Sequence, residues 1–490
     1  MAILLRTAPA KPSGAISRVL GRTPRRLMML GAALEAAVAV FIAVLISGMS
    51  GTDDGMAALS VKAAEAKAAD DLYLHLTDMD AQAADALLVG YHPTGSVPRE
   101  VSAAADMGTY DAERSAADAD LQLLGLNPAL AAQVRALLDA LGGYESLIGQ
   151  AVYVDQGTLS EAPAAPPRPA LGLYEQATAS MHRDILAAAS RIRDEDDREI
   201  NASYHSALDS ASLEAAFVAV LGVLLLALLI GADRYLSRRF RRVFAPALAL
   251  AALTVATVTA TAVADFVATT HDYRVAKQDA FDSVSALTNA EAISYDANAD
   301  ESRWLLDRSG PYQAGFFANA DGIAHLYALD AGTAAKDPAS YYSALEAATT
   351  TLTLDGSQNT VSHVELGGYL GSELGNVTFG GEARAAYDAA DAFNTYIQID
   401  STIRSQANSG DLATAVNIDI GTAPGDSNSS FDAYIKALRK VVDINQGAFT
   451  AAIGDGESGL SVWSWLSYLV GTALLALIAA ALYPRLREYR

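Results

Sequence analysis

The stretch RYLSRRFRRVFAP, residues 234–246, decides the fold because it places five arginines between two long apolar runs. The run before it reads AAFVAVLGVLLLALLIGA, and the run after it reads ALALAALTVATVTATAVA. About 20 consecutive apolar residues are enough for a helix to cross a bilayer. We therefore predict that the arginine stretch is a short loop between two membrane-spanning helices.

Four segments of the chain reach spanning length: Leu27–Gly48, Ala215–Ala232, Ala245–Ala264 and Val462–Tyr483. The third is the least apolar because it carries several threonines, whose hydroxyls can bond to a carbonyl one turn back and so be tolerated in lipid. The first is longer than the apolar region of about 7–15 residues in a signal peptide, so we expect an uncleaved anchor.

Charge is distributed very unevenly in this chain of 490 residues and net charge −23. The short pieces 1–26, 232–244 and 484–490 together hold 14 basic and 2 acidic residues, whereas 49–213 has a net charge of −16 and 265–462 one of −17. Basic residues that flank spans remain in the cytoplasm. We predict a multi-pass plasma-membrane protein with both termini and the arginine loop in the cytoplasm and both acidic segments outside.

The arginines would then fix the topology. A docking site for a cytoplasmic partner is the second interpretation of the same residues. That site would comprise Arg234, Arg238, Arg239, Arg241, Arg242, Arg485 and Arg487.

The predicted fold class is mainly α, with four transmembrane helices and two extracytoplasmic helical-bundle domains, the second with a short β or loop insertion. The domain order follows from the spans: 1–26 basic N-terminus, 27–48 first span, 49–213 helical bundle, 215–232 second span, 233–244 arginine loop, 245–264 third span, 265–461 helical domain with loops, 462–483 fourth span, 484–490 tail.

The first extracytoplasmic segment shows the periodicity of long helices. Leu72, Leu76, Met79, Ala83 and Leu87 are spaced by three or four residues, so they share one helix face. A proline-rich stretch, SEAPAAPPRPA at 160–170, is predicted to be a connector.

The second extracytoplasmic segment is less regular. TLTLDGSQNTVSHVEL (351–366) predicts a short hairpin, and GGYLGSELGNVTFGGE (367–382) and GTAPGDSNSS (421–430) predict loops. Because loops carry binding contacts more often than helices do, we place the extracytoplasmic partner contact at Tyr369, Asn376 and Phe379.

Motifs for catalysis or cofactor binding are weak. The chain has no cysteine, and GDGESG (454–459) lacks the strand that a dinucleotide site needs, so a flexible joint is the plainer interpretation. DANADESRWLLD (296–307) has Glu301 where a calcium loop needs glycine, and RDEDDREI (193–200) resembles a charged helix face, so both are interpreted as solvated helix. We predict no enzyme, no cofactor, no metal and no nucleic-acid partner.

Glu35 lies within the first span, where a carboxylate is costly. It could extend toward Arg25 or Arg26 at the membrane surface, or bond to a second helix that approaches closely at Gly31. The sequence leaves both interpretations open.

Several stretches resemble the GlnX-type membrane sensors of actinobacteria: DLYLHLTDMDAQAADALLVG (71–90), NADESRWLLDRSG (298–310), ELGGYLGSELGNVTFGGE (365–382), VDINQGAFTAAI (442–453) and YPRLREYR (483–490). The resemblance implies signal transfer from an extracytoplasmic glutamine-binding-type lipoprotein, which senses aspartate and glutamate. The receiver would be a cytoplasmic serine/threonine kinase, protein kinase G, which adjusts glutamate metabolism.

A membrane scaffold or envelope assembly factor without a signalling role is the main alternative, and a transporter is a weaker one because the spans carry few polar residues. The lipid bilayer is a partner in each case. The sequence leaves the oligomeric state open, a homo-oligomer included.

Overall fold

A computed structural model describes residues 22–92, 102–158, 164–240, 245–308 and 310–487, and it is helical almost throughout. The predicted mainly α class, with four helices long and apolar enough to span a membrane, is confirmed. The elements are α1 Arg22–Val89, α2 Ala103–Leu124, α3 Ala131–Gln156, α4 Arg168–Ser180, α5 Ala187–Phe240, α6 Pro246–Arg274, α7 Asp282–Asp307, α8 Gly310–Ile323, α9 Ala331–Lys336, α10 Pro338–Thr351, β1 Thr353–Leu354, β2 Val361–Ser362, α11 Gly368–Gly375, α12 Glu382–Ser409, α13 Leu412–Asp419, α14 Ser427–Ser461 and α15 Trp463–Arg487.

Two π-helical turns lie between consecutive helices. Met181–Leu186 joins α4 to α5, and Val275–Phe281 joins α6 to α7. A π turn adds a residue to the helical repeat and shifts the buried face of the helix that follows it.

The first compact unit comprises the described residues up to Met56 together with 206–272 and 455–487. Its core is aliphatic and aromatic, with Leu34, Phe41, Leu225, Val255 and Leu474 all buried. These residues come from the four predicted spans, so each span turns one face toward the others and leaves the opposite face apolar and exposed.

Small residues permit close helix contacts in this unit. A methyl group on Gly31 of α1 would lie 2.8 Å from the Leu482 side chain of α15, and one on Gly222 of α5 would overlap the side chain of Thr259 of α6. Glycine at these two positions therefore sets the distance between neighbouring helices.

The second compact unit combines residues 57–205 with residues 273–454. Each segment has its own hydrophobic core: the first is built around Leu76, Leu141 and Ile185, and the second around Phe317 and Tyr434. A third, smaller cluster draws on both segments and consists of Leu88, Val89, Ala164, Trp304, Leu305, Ile403, Ala407, Ala415, Val416 and Ile420.

The short hairpin predicted in the second segment is confirmed, since β1 and β2 pair antiparallel with Thr353 opposite Ser362. Three loop predictions need correction. The first half of 367–382 is helix α11, whose Gly371 packs directly on the backbone of Leu366. Ser427 already begins α14 inside the predicted loop 421–430, and the predicted joint at 454–459 is helical within α14.

Candidate functional site

Arg303, in the last turns of α7, is the most deeply buried cation among the described residues of the second unit, with 1 % of its surface exposed. Its Nη2 donates to Asp80 Oδ2 at 2.6 Å, and its Nη1 donates to Asp300 Oδ1 at 2.8 Å and to Asp296 Oδ1 at 3.1 Å. A guanidinium has its donors fixed in a plane, so one side chain can hold several carboxylates at defined angles. We call these four residues, together with Tyr174, the Arg303 network.

Hydroxyl groups complete the bonding at this site. The Nε of Arg303 donates to the Tyr174 hydroxyl at 2.9 Å. Asp80 accepts from the Tyr144 hydroxyl at 2.9 Å and from the Thr178 hydroxyl at 2.5 Å, in addition to the guanidinium. Three donors on one carboxylate are the arrangement that a buried anion needs.

The network joins the two segments of the second unit. Asp80 belongs to α1, Tyr144 to α3 and Tyr174 to α4, whereas Arg303 and Asp300 belong to α7. Residues 80 and 303 are 223 positions apart, so a direct bond between them forms only when both segments are folded against each other.

Carboxylates outnumber cations in the network. Burial raises the pKa of Asp300 to about 7, although the charge of Arg303 opposes this shift. Burial also acts on Asp296, but the charges of Arg303 and His182 outweigh it and lower the pKa of Asp296. Because Asp300 gains or loses its proton near neutral pH, the net charge of the network depends on pH in that range.

A second polar group, which we call the carboxyl cluster, consists of Asp85, Glu301, Asp400 and Asp419, all buried. The Ser302 hydroxyl lies 2.6 Å from Asp85 Oδ1 and 3.2 Å from Asp419 Oδ2. A hydroxyl has one proton to donate. Burial and the charge of Asp85 raise the pKa of Asp419, so a protonated Asp419 can donate to Ser302 while Ser302 donates to Asp85.

Arg404 of α12 forms an ion pair with this cluster. Its Nε donates to Asp400 at 2.9 Å, and its guanidinium lies 4.6 Å from the ring centre of Trp304 and 4.8 Å from that of Phe316. Contacts of this kind stabilise a partly desolvated guanidinium. Helix α7 therefore carries three consecutive buried polar side chains, Glu301, Ser302 and Arg303, which form hydrogen bonds to neighbouring helices.

The predicted extracytoplasmic contact residues lie around another pair of carboxyls. Asn376 is exposed, and Phe379 donates its backbone N–H to Glu382 Oε2 at 2.8 Å. Asn445 donates to Glu382 Oε1 at 2.7 Å and lies 3.5 Å from Glu373 Oε1. Burial and the charge of Glu382 raise the pKa of Glu373 to about 8, so Glu373 holds a proton beneath this loop at neutral pH.

Tyr369 is half-buried at the start of α11 and packs against the core of the second segment. It belongs to the helix, whereas Asn376 and Phe379 belong to the loop that follows it. Phe379 therefore bonds to the Glu382 carboxylate, whereas the side chain of Asn376 donates to the Ser283 hydroxyl at 3.4 Å and Tyr369 lies on a separate element.

Only part of the predicted cytoplasmic docking site is described. Arg234 and Arg238 are exposed on the last turns of α5, and Arg487 is exposed at the end of α15. Arg485 is half-buried and donates to the Ala481 carbonyl. Arg241 and Arg242, residues 1–21 of the basic N-terminus and residues 488–490 of the tail lie outside the described residues, as do the side chain of Arg239 and residues 160–163 of the proline-rich connector.

Gly31 and Glu35 lie one turn apart on α1 but differ in exposure. Gly31 is buried and a methyl group on it would lie 2.8 Å from the Leu482 side chain, whereas Glu35 is exposed. The close helix contact at Gly31 therefore does not include the Glu35 carboxylate.

The Arg303 network and the carboxyl cluster were not predicted from the sequence, because residues 296–307 were interpreted as solvated helix. The structure confirms a helix there, but Asn298, Asp300, Glu301, Ser302 and Arg303 are buried. In the sequence, acidic residues, Arg303 and Trp304 are distributed around the whole circumference of this helix, so no side of it is a separate solvent-facing stripe. That pattern was the signal of burial that was missed. RDEDDREI is corrected in the same way at Asp196, which is also buried.

Residues 56–205 match the family model of the actinobacterial sensor domain. No curated protein and no solved structure matches the chain. The match supports a sensor role for the chain, and with four helices long and apolar enough to span a membrane it supports a membrane-bound sensor.

Proposed function

We propose that the chain is a non-enzymatic signal-transfer protein of the GlnX type in the plasma membrane. An extracytoplasmic solute-binding lipoprotein reports aspartate or glutamate to the second unit, and a cytoplasmic serine/threonine kinase of the protein kinase G type receives the signal. The kinase then adjusts glutamate metabolism. The observation that carries this proposal is the match of residues 56–205 to the actinobacterial sensor domain.

Charge favours a separate binding protein over direct capture of the amino acid. Residues 49–213 and 265–462 carry net charges of −16 and −17. A field of this sign disfavours the approach of a free dicarboxylate. A lipoprotein that encloses the ligand and presents its own surface avoids this repulsion.

Helices shared by the two units support the transfer step. Helix α1 runs from Arg22 to Val89 and contributes residues to both units, as does α5 from Ala187 to Phe240. A difference of about 1–3 kcal/mol between two arrangements of such helices is sufficient for useful coupling. The Arg303 network supplies a contact through which binding to one segment would act on the other.

The cytoplasmic surface in this proposal is the arginine loop. Arg234 and Arg238 are exposed, and Tyr235 between them has 38 % of its surface exposed. Exposed guanidinium groups suit a partner with acidic side chains, because they form bidentate bonds to carboxylates.

The test uses the full-length chain in its native membrane, with a photo-crosslinking amino acid at position 235. We expect it to capture the kinase, and we expect Arg234→Gln with Arg238→Gln to abolish capture. The matched control is Arg183→Gln with Arg191→Gln, two exposed arginines of the second unit, which should leave capture unchanged. Reporter fusions check that the topology is the same in every variant.

Kinase output is measured in the same cells after addition of aspartate or glutamate. We expect the phosphorylation of kinase substrates to change in the wild type and in the control, and to stay constant in the Arg234 and Arg238 variant. Equal capture in both variants would reject docking at the arginine loop. If the phosphorylation of kinase substrates did not change after addition of either amino acid, the relay would be rejected and a membrane scaffold favoured.

A further inference from the structure

Four charged side chains meet where α1 and α5 face each other in the second unit. Lys62 and Glu65 belong to α1, and Asp196 and Glu199 belong to α5. Residues three apart lie on the same face of a helix, so each pair points toward the other. One carboxylate oxygen from each of Glu65, Asp196 and Glu199 lies within 4.8 Å of the others.

Lys62 neutralises only part of this cluster. Its ammonium lies 2.6 Å from Glu65 Oε2 and 2.6 Å from Glu199 Oε2. Three carboxylates and one ammonium leave an excess of two negative charges when all are ionised.

The ion pairs of Lys62 are with Glu65 and Glu199 and not with Asp196. Only 1 % of the surface of Asp196 is exposed, and neither of its carboxylate oxygens has a hydrogen-bond partner among the residues that the structure describes. A buried carboxylate without a partner is strongly destabilising.

We propose that Glu65, Asp196 and Glu199 bind a calcium ion, for which the Lys62 ammonium is the built-in competitor. Carboxylate oxygens are ligands for hard divalent cations, which excludes soft metals as the preferred occupant. Three carboxylate oxygens within 4.8 Å of one another are close enough to share one such ion. Ca²⁺ accepts irregular geometry and added water ligands, whereas Mg²⁺ demands a near-ideal octahedron, so three carboxylates on two helices suit Ca²⁺ better.

Access and exchange also fit this assignment. The side chains of Glu65 and Glu199 are half-buried, so water can reach the cluster and complete the coordination of an ion. Lys62 has a long flexible stem and can withdraw its ammonium toward solvent when an ion enters. Binding would then exchange two ion pairs for three metal bonds, including one to the otherwise unpartnered Asp196.

The experiment is calorimetric titration of CaCl₂ into the metal-stripped full-length chain, held in nanodiscs of zwitterionic lipid. About 150 mM NaCl screens nonspecific attraction to the acidic surface. We expect one site with a Kd of about 10⁻⁴–10⁻³ M, the range of extracellular calcium modules. Mg²⁺ should bind at least about tenfold more weakly, because it requires shorter and more regular coordination.

Three variants separate a built site from general acidity. Asp196→Asn should weaken Ca²⁺ binding at least about tenfold, since it removes the ligand that lacks any other partner. Lys62→Met keeps the length of the stem and removes the competing charge, so it should tighten binding about tenfold or more. The matched control is Asp194→Asn, which removes one exposed charge from the same helix and should change nothing.

Circular dichroism melting shows whether each variant folds, and Glu199→Gln replaces Asp196→Asn if the latter does not. Wild-type protein that binds no Ca²⁺ at about 10 mM, roughly ten times the weakest expected Kd, would overturn the proposal and make Lys62 the permanent cation of the cluster. Equal Ca²⁺ affinity in the Asp194 variant, the ligand variants and the wild type would also overturn it, because nonspecific binding explains that result.

Discussion

Replacement of Arg303 by methionine tests whether the Arg303 network holds the two segments of the second unit together. The substitution keeps an unbranched apolar stem and removes every polar contact of the guanidinium, to Asp80, Asp296, Asp300 and Tyr174. Loss of one partner from a buried ion pair costs about 3–5 kcal/mol, because the remaining charge has no compensation. Asp300 can take up a proton at low cost, since its pKa is already about 7, so the penalty falls mainly on the other two carboxylates.

The expected change in thermal stability follows from this free energy. The second unit comprises residues 57–205 and 273–454, about 330 residues. At about 2.1 cal/mol/K of unfolding entropy per residue, a loss of 1 kcal/mol lowers its Tm by about 1.4 °C, so we expect Arg303→Met to lower Tm by about 4–7 °C. Tryptophan fluorescence of the full-length chain in detergent is a suitable assay. Trp304 is the only tryptophan of the second unit and is adjacent in sequence to Arg303.

Two comparisons make this prediction specific. Arg183→Met removes an arginine whose side chain is 73 % exposed and paired with its neighbour Asp184, so Tm should change by about 2 °C or less. Arg303→Met combined with Asp80→Asn should recover part of the loss, because the second change removes the uncompensated anion. A Tm for the single variant within about 2 °C of wild type would refute the argument that the network is structural.

Two further predictions concern pH and helix packing. Glu373 has a pKa of about 8 in the folded protein instead of the ordinary 4.5, so its protonation stabilises the fold below pH 4.5 and this stabilisation is lost as pH rises to about 8. Glu373→Gln should therefore flatten the decrease in Tm between pH 5 and 8. A wild-type Tm that increases over this range would contradict the assignment. Gly222→Leu should destabilise the first unit by about 1–3 kcal/mol, because the new side chain overlaps Thr259, whereas Gly231→Leu adds the same side chain where nothing lies within 4 Å and should leave the monodisperse fraction on gel filtration unchanged.

Hydrophobic periodicity predicted much of this fold from the sequence. Leu72, Leu76, Met79, Ala83 and Leu87 were placed on one helix face, and all five belong to the buried core of the first segment. The four spans and the short hairpin were predicted on the same physical grounds, since apolar length and period-two alternation depend only on local sequence.

Polar burial could not be predicted in the same way. Asp80 and Arg303 look like solvated charges in their own helices, and only tertiary contact across 223 residues makes them partners. The loop prediction at 367–382 failed for a related reason. Glycines favour loops by local propensity, but Gly371 is required in helix α11 because its backbone packs on Leu366.

A buried ionic contact between two segments is a costly way to gain stability, since apolar side chains of similar volume would often be equally stabilising or better. The free energy of such an ionic contact changes with the protonation and the exact placement of a few groups. The free energy of apolar packing changes little until the packing is broken. In the second unit the pKa of Asp300 is about 7 and that of Asp85 is about 6, so small shifts of the segments can change how many protons the polar groups hold. If the proposed relay is right, a partner that binds one segment needs to supply only about 1–3 kcal/mol to favour a second arrangement. The Arg303 network and the carboxyl cluster would then keep the two arrangements of the segments close in free energy. An apolar contact of the same size would not do so.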